Sequence, residues 1–164
     1  MSFSLLPRYK FDTLLRVTPE FLRDVGVSLL LLDLDNTIAP YGQDAPDAAT
    51  LEWAQKMRDA GITLFIVSNS RKTHRVAAYA AALDVGYVYH ARKPSPAKVL
   101  EAAKICGVDV RAAALAGDQI FTDVLAANRA DAVSLLVKPI RLSNVFLALR
   151  YGVEQPFRAF GKTV

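Results

Sequence analysis

The chain has 164 residues, 52% of them hydrophobic and 22% charged, which suffices for one domain with its own core and excludes collagen-like and disordered classes. Its formal charge is +4, carried in excess by the C-terminal tail, where Lys138, Arg141, Arg150, Arg158 and Lys162 face Glu154 alone. The lone cysteine, Cys106, excludes an internal disulfide and a multi-cysteine zinc site, and is read as a helix-packing residue.

From the N-terminus, MSFSLLPRYKFDTLLRV breaks its apolar residues with Pro7, Arg8, Lys10 and Asp12, so it lacks the apolar core of a signal peptide. Apolar runs such as VSLLLL and ITLFIV fall far short of the roughly 20 residues of a bilayer span. A cytoplasmic protein is expected. A short helix over 19–25 follows, with Thr18 as N-cap and Pro19 at its first position. Apolar strands are then expected at 28–33, 62–67, 87–90, 112–116 and 132–137. Between them, apolar positions recurring every three or four residues predict helices over 46–60, 72–83, 95–106 and 120–130, and another over 141–151. Pro46 suits a first helical turn, and Gly61, Gly86 and Gly107 stand where left-handed C-caps are wanted. Trp53 is assigned to the core, His74 to a helix surface and His90 to a strand end. This alternation is the pattern of an α/β fold: a parallel five-stranded sheet with helices on both faces.

In such sheets the loops at the carboxyl ends of the strands converge on one crevice. The first strand ends in Asp33, Asp35, Asn36 and Thr37, and the second in Ser68, Asn69 and Ser70. Lys93 follows the third, and GDQIFTD, with Asp118 and Asp123, follows the fourth. Singly these signals are modest: Asp-x-Asp can be a solvated strand end, Ser and Asn are frequent caps, and Lys93 before Pro94 reads as a surface lysine. Together, several carboxylates, an ammonium and a hydroxyl match a phosphoryl group held with Mg²⁺. A carboxylate can attack phosphorus and divide one hydrolysis into two easier displacements.

The order DLDNT, Ser, Lys, GDxxxTD resembles the haloacid dehalogenase (HAD) superfamily of phosphohydrolases. LLPRY, TPEFL, DLDNTI, VSNS, KP, GDQIFTD and VKPI further resemble its YqeG-like family, subfamily IIIA. The resemblance implies a three-layer, Rossmann-like HAD fold with strand order 5-4-1-2-3. It implies Asp33 as nucleophile and Asp35 as general acid and base. It implies Mg²⁺ on the Asp33 and Asp118 carboxylates and the Asp35 carbonyl, with Thr37 in a supporting position and Asp123 orienting a metal-bound water or Lys93. Ser68 and the Asn69 amide would hold phosphoryl oxygens, and Lys93 would neutralise charge that develops in transfer.

One helix and one strand separate Asp35 from Ser68, and likewise Ser68 from Lys93, which leaves no room for a cap domain. A single capless domain over 1–164 is expected, with an open site that suits bulky substrates. The family resemblance extends to mitochondrial phosphatidylglycerophosphate phosphatases, so a phospholipid leads, ahead of a phosphoprotein or a nucleic-acid end. A peripheral position at the inner face of the membrane would suit that substrate. Leu142, Val145, Phe146 and Leu149 share one face of the last helix, read first as packing on the sheet and second as interfacial. Tyr151, Phe157 and Phe160, with Leu5, Leu6, Tyr9 and Phe11, are stronger interfacial candidates. Arg71, Lys72 and Arg75 suit either an anionic substrate or a solvated helix start, and Tyr41 suits the entrance. A phosphorelay receiver fits poorly, because there the phosphorylated aspartate lies on a middle strand and the lysine comes last. A binding role for the fold in a protein or ribonucleoprotein assembly is the remaining alternative.

Overall fold

The computed structural model describes residues 3–141 and 145–164. Its centre is a parallel sheet built from β2 (Leu29–Leu32), β3 (Thr63–Val67), β4 (Gly86–Val88), β5 (Ala113–Gly117) and β6 (Val133–Val137). All five predicted strands are present, with ends displaced by one or two residues. The sheet extends further than expected. β1 (Tyr9–Phe11) pairs in parallel with β6, and β7 (Lys162–Thr163) pairs in parallel with β1, giving the seven-stranded order β4-β3-β2-β5-β6-β1-β7. Three- and two-residue strands carry no legible periodicity, which is why both escape a sequence reading.

β2 lies between β3 and β5, and all four of its leucines are fully buried. Side chains alternate across a strand, so Leu30 and Leu32 join one core while Leu29 and Leu31 join the other. The first core is covered by α1 (Pro19–Asp24), α2 (Ala48–Asp59) and α3 (Thr73–Leu83), through Leu22, Trp53, Met57, Tyr79 and Leu83. The second is covered by α4 (Ala97–Ile105) and α5 (Leu125–Ala130), through Val99, Ala102, Ala103, Ala126 and Ala127. Burial of each large apolar side chain contributes about 1.5–3 kcal/mol, which fixes the strands and with them the loops at their ends.

Helix caps agree with the sequence in part. Thr18 Oγ1 accepts from Phe21 N, as expected. Asp47 rather than Pro46 starts α2, accepting from Thr50 N at 2.8 Å. Asp84, with φ of 54°, takes the left-handed position after α3 that was expected of Gly86. Gly86 lies instead in β4, where a Cβ would overlap the Phe65 ring. Trp53 is buried and donates to Val17 O, while His74 and His90 are exposed.

The tail differs most from expectation. The last helix, α6, runs Val145–Arg158 rather than over 141–151, and Leu142 lies outside the described residues. Phe157 packs edge-on against Phe121, and Leu5 joins the same small cluster. Tyr9 and Phe11 flank Phe21, and Phe11 is buried. Of the expected interfacial residues, Phe11 is therefore buried, Tyr9, Leu5, Tyr151 and Phe157 are half-buried, and Leu6 is exposed. Phe160 remains exposed. Val145, Leu149 and Val153 form an exposed stripe along α6, so Val145 and Leu149 do not pack on the sheet as expected, while the Phe146 side chain lies outside what the structure describes.

Candidate active site

β2 delivers Asp33 to the rim, with Asp33 N still donating to Ala116 O as the ladder ends. The chain then turns tightly: Ile38 N and Ala39 N both donate to Leu34 O, and Asn36 adopts a φ of 67°. Asn36 is buried and acts as a tether. Its side chain donates to Arg141 O and accepts from Arg141 N, while its carbonyl accepts from Ile140 N. Thr37 Oγ1 lies 3.4 Å from Asp33 Oδ2, as its donor.

Lys93 reaches the same point from the loop after β4. Its ammonium is buried and lies 2.6 Å from Asp33 Oδ1, 2.7 Å from Asp123 Oδ1 and 2.8 Å from Val67 O. Burial opposes the charge on Lys93, but the Asp123 and Asp33 carboxylates more than offset this and raise its pKa. Asp118 follows β5 directly. Asp123 stands on a π-helical turn, Ile120–Val124, and its carboxylate lies back beside Gly117, near that of Asp118. Gly117 permits this return, since a Cβ there would overlap the Asp123 carboxylate.

One carboxylate oxygen from each of Asp33, Asp118 and Asp123 lies within 4.8 Å of the others. Three carboxylates against the single Lys93 ammonium leave negative charge uncompensated in a buried place. Burial, reinforced by Asp123 and Asp35, pushes Asp33 up to about 7 despite the opposing pull of Lys93. Burial, with Asp123 and Asp33 beside it, pushes Asp118 up to about 8. Asp118 Oδ1 is buried without a hydrogen-bond partner. Asp123, by contrast, also accepts from Gln119 N through Oδ2. Hard carboxylate oxygens, excess negative charge and an orphaned oxygen fit a divalent cation of the Mg²⁺ type.

Asp35 projects nearby, and its Oδ1 pairs at 2.6 Å with Nη1 of Arg75. Arg75 is 3% exposed, so it is neither a solvated helix start nor free to meet a substrate. Its Nε donates to Gln43 O and its Nη2 to Pro40 O, which pins the 40–43 loop. Tyr41 on that loop lines the cleft. Burial and the charges of Asp118, Asp35 and Asp33 push its hydroxyl up to about 12. Ser68 is 1% exposed, with Oγ accepting from Ser70 N. The Asn69 side chain is engaged with the main chain of Lys93, accepting from its N at 2.8 Å and donating to its O. Arg71, Lys72 and Arg150 complete the basic wall of a cleft of about 480 Å³.

Two supporting residues were not legible as such. Glu154, on α6 and 1% exposed, accepts from Ile120 N and Phe121 N through Oε1 and so braces the π turn. Arg158 bonds Glu154 Oε2 and Asp118 O, and stacks on Tyr151. The spacing of Leu147, Tyr151, Glu154 and Arg158 was the available signal, because it places all four on one helical side.

The sequence adds a decisive comparison. A family model for haloacid dehalogenase-like hydrolases matches residues 6–131. The chain belongs to this family. Within it, the hydrolase is 31% identical over 142 residues to "Probable phosphatase YqeG" of Bacillus subtilis (strain 168), across 87% of this chain and 82% of that protein. That likeness places it among the YqeG-like members. The fold of this hydrolase is also similar to the cobalt-bound deoxy-D-mannose-octulosonate 8-phosphate phosphatase (YrbI) of Haemophilus influenzae. There the TM-score is 0.56 at 12% identity, covering 76% of this chain and 75% of that one. A second fold relative is the Moraxella catarrhalis 3-deoxy-D-manno-octulosonate 8-phosphate phosphatase in complex with magnesium ion, phosphate ion and KDO. Its TM-score is 0.52 at 15% identity, covering 87% of this chain and 97% of that one.

Proposed function

We propose that this HAD phosphatase hydrolyses a phosphomonoester through an aspartyl-phosphate on Asp33, with Mg²⁺ held by the Asp33 and Asp118 carboxylates and the Asp35 carbonyl. The observation that carries the reading is the buried meeting of Asp33, Asp118 and Asp123 around Lys93, with Asp118 Oδ1 left unpartnered. An Asp33 carboxylate oxygen forms a bond to phosphorus as the bond to the leaving oxygen breaks. Asp35 gives its proton to that oxygen, then takes a proton from the water that attacks the aspartyl-phosphate and releases inorganic phosphate. Arg75 holds Asp35 Oδ1, leaving Oδ2 for the proton. The Lys93 ammonium and the Ser68–Asn69 loop oppose the charge that develops on the phosphoryl oxygens. When bound, the cation supplies Lewis-acid polarisation of the phosphoryl group and balances the carboxylates.

The chain forms a single capless domain in this reading: α2 and β3 fill the interval from Asp35 to Ser68, and α3 and β4 fill that from Ser68 to Lys93. An open cleft suits a substrate with bulk of its own, and phosphatidylglycerophosphate is the leading candidate. Support comes from the exposed Val145, Leu149 and Val153 stripe on the helix that also carries Arg150 to the cleft wall. Apolar residues beside arginines suit the surface of an anionic bilayer. Among the described residues no helix is long and apolar enough to cross a membrane, so attachment would be peripheral.

The test is phosphate release from phosphatidylglycerophosphate in vesicles and from a soluble phosphomonoester, with Mg²⁺ or with a chelator. Wild type is expected to need the metal, and Asp33→Asn to lose at least about 10³-fold in kcat while keeping its circular dichroism spectrum. Equal turnover by the two proteins rules out Asp33 as nucleophile, and turnover of the soluble ester alone rules out the lipid.

A further inference from the structure

Beside the catalytic cleft lies a second cavity, also of about 480 Å³, lined by Asn69, Arg71, His90 and Arg92. It has basic and amide groups on its walls and no carboxylate. Asn69 and Arg71 line both cavities, so the two share a wall. Arg71 and Arg92 make no ion pair among the described residues, whereas Arg75 and Arg158 nearby are spent on internal carboxylates. The His90 ring meets the Tyr89 ring edge-on, with centroids 5.3 Å apart, and its main-chain N donates to Ser70 O.

The loop that presents His90 and Arg92 is built, not loose. Both residues adopt left-handed backbone, with φ of 49° and 54°. Such conformations are uncommon for residues with a Cβ and persist where neighbouring contacts enforce them. Here Ala91 N donates to Ser68 O at 3.0 Å and Ser95 N to Arg92 O at 2.9 Å, while Asn69 grips Lys93 on both sides of its main chain. The Ser68–Arg71 and His90–Lys93 segments therefore form one platform. The strands set its distance from Asp33, since Lys93 is the next residue after Arg92 and bonds Asp33 directly.

We infer that Arg71, His90 and Arg92 form a subsite for a second anionic phosphate of the substrate, a few bonds from the phosphomonoester that is cleaved. Guanidinium forks match phosphate oxygens in pairs, and a concave basic wall without acids focuses a field that favours such an anion. The inference rests on the proposed phosphomonoester chemistry and narrows its substrate to a bisphosphate or to a phosphomonoester linked to a phosphodiester.

The experiment compares three soluble compounds: 3-hydroxypropyl phosphate, propane-1,3-diol bisphosphate, and the same diol with a phosphomonoester at one end and a methyl phosphodiester at the other. Wild type is expected to favour the two doubly anionic compounds by about tenfold or more in kcat/KM. Arg92 does not line the catalytic cleft, so Arg92→Ala should remove most of that preference and leave 3-hydroxypropyl phosphate within about twofold. Which doubly anionic compound is preferred distinguishes a terminal phosphate from a diester linkage. Turnover of all three compounds with no preference, or an equal loss on all three in Arg92→Ala, overturns the subsite and leaves the phosphatase reading intact. Should none be turned over, calorimetric binding of the same compounds to Asp33→Asn, with and without Arg92→Ala, decides it. Tighter binding of the bisphosphate that Arg92→Ala abolishes supports the subsite apart from the chemistry, and equal binding overturns it.

Discussion

Arg75, 3% exposed, places its guanidinium against the Asp35 carboxylate, two loop carbonyls and, at 3.5 Å, the exposed Asp44 carboxylate. Removing one partner of such a cluster leaves the others desolvated and unpaired, which costs more than the contacts themselves contribute. Arg75→Ala is expected to destabilise the fold by about 2–3 kcal/mol, lowering Tm by roughly 5–10 °C in circular dichroism melts. Arg75→Lys, which keeps the charge but loses the planar fork, should recover only part of this. An unchanged Tm for Arg75→Ala would mean that the cluster contributes nothing to stability. The sequence places Arg75 in a basic helix start and leaves its burial open, because its partners lie more than thirty positions upstream on another loop. Its four-residue spacing to Tyr79 and Leu83 did mark the inner face of α3. Asp33, Lys93, Asp118 and Asp123 were legible because strand ends in a parallel sheet have one place to go. The orientation of Ser68 and Asn69 was not, since a rotamer and a hydrogen-bond choice leave no trace in residue order.

Among the elements, α6 departs furthest from its sequence reading. A basic, aromatic tail suggests a surface segment, yet its Glu154 supplies the acceptor for two N–H groups of the turn that carries Asp123. Groups that orient ligands in this indirect way typically govern metal affinity by about 10–100-fold. Glu154→Ala is therefore expected to raise the Mg²⁺ concentration for half-maximal activity by about tenfold or more, read from a metal titration of phosphate release. The same half-saturation in wild type and variant would show that the π turn stands without α6. Truncation within the tail is expected to damage turnover of soluble esters as well as any membrane contact, because brace and surface stripe share one helix. The short strands β1 and β7 and this brace are long-range features, and local periodicity carries no information about them.

At the scale of the whole molecule, the buried acids are expected to make stability depend on pH and, through the proposed cation, on metal. Asp33 and Asp118 have folded-state values of about 7 and about 8, above the ordinary carboxylate value of 3.8. The folded state thus binds protons more tightly than the unfolded chain. Without metal, their contribution is fully present below about pH 4 and is lost as pH rises toward 8. In the proposed metal-bound state Mg²⁺ would compensate the ionised forms, and linkage would add stability that grows with pH. Melting curves in chelator should accordingly fall between pH 6 and 8.5 relative to those in Mg²⁺, and parallel curves would contradict this account of the cluster. The α/β architecture was legible because buried parallel strands read as apolar runs, as LLLL does here. The outer edge of the sheet was not, and that edge has a kinetic meaning. Joining Tyr9 and Lys10 to Lys162 and Thr163 closes nearly the entire chain into a loop for the sake of a two-residue pairing. Loop-closure entropy places such a step late. Refolding molecules should therefore assemble the β3-β2-β5 centre, with Asp33 and Asp118 at its strand ends, before the last strand docks on β1.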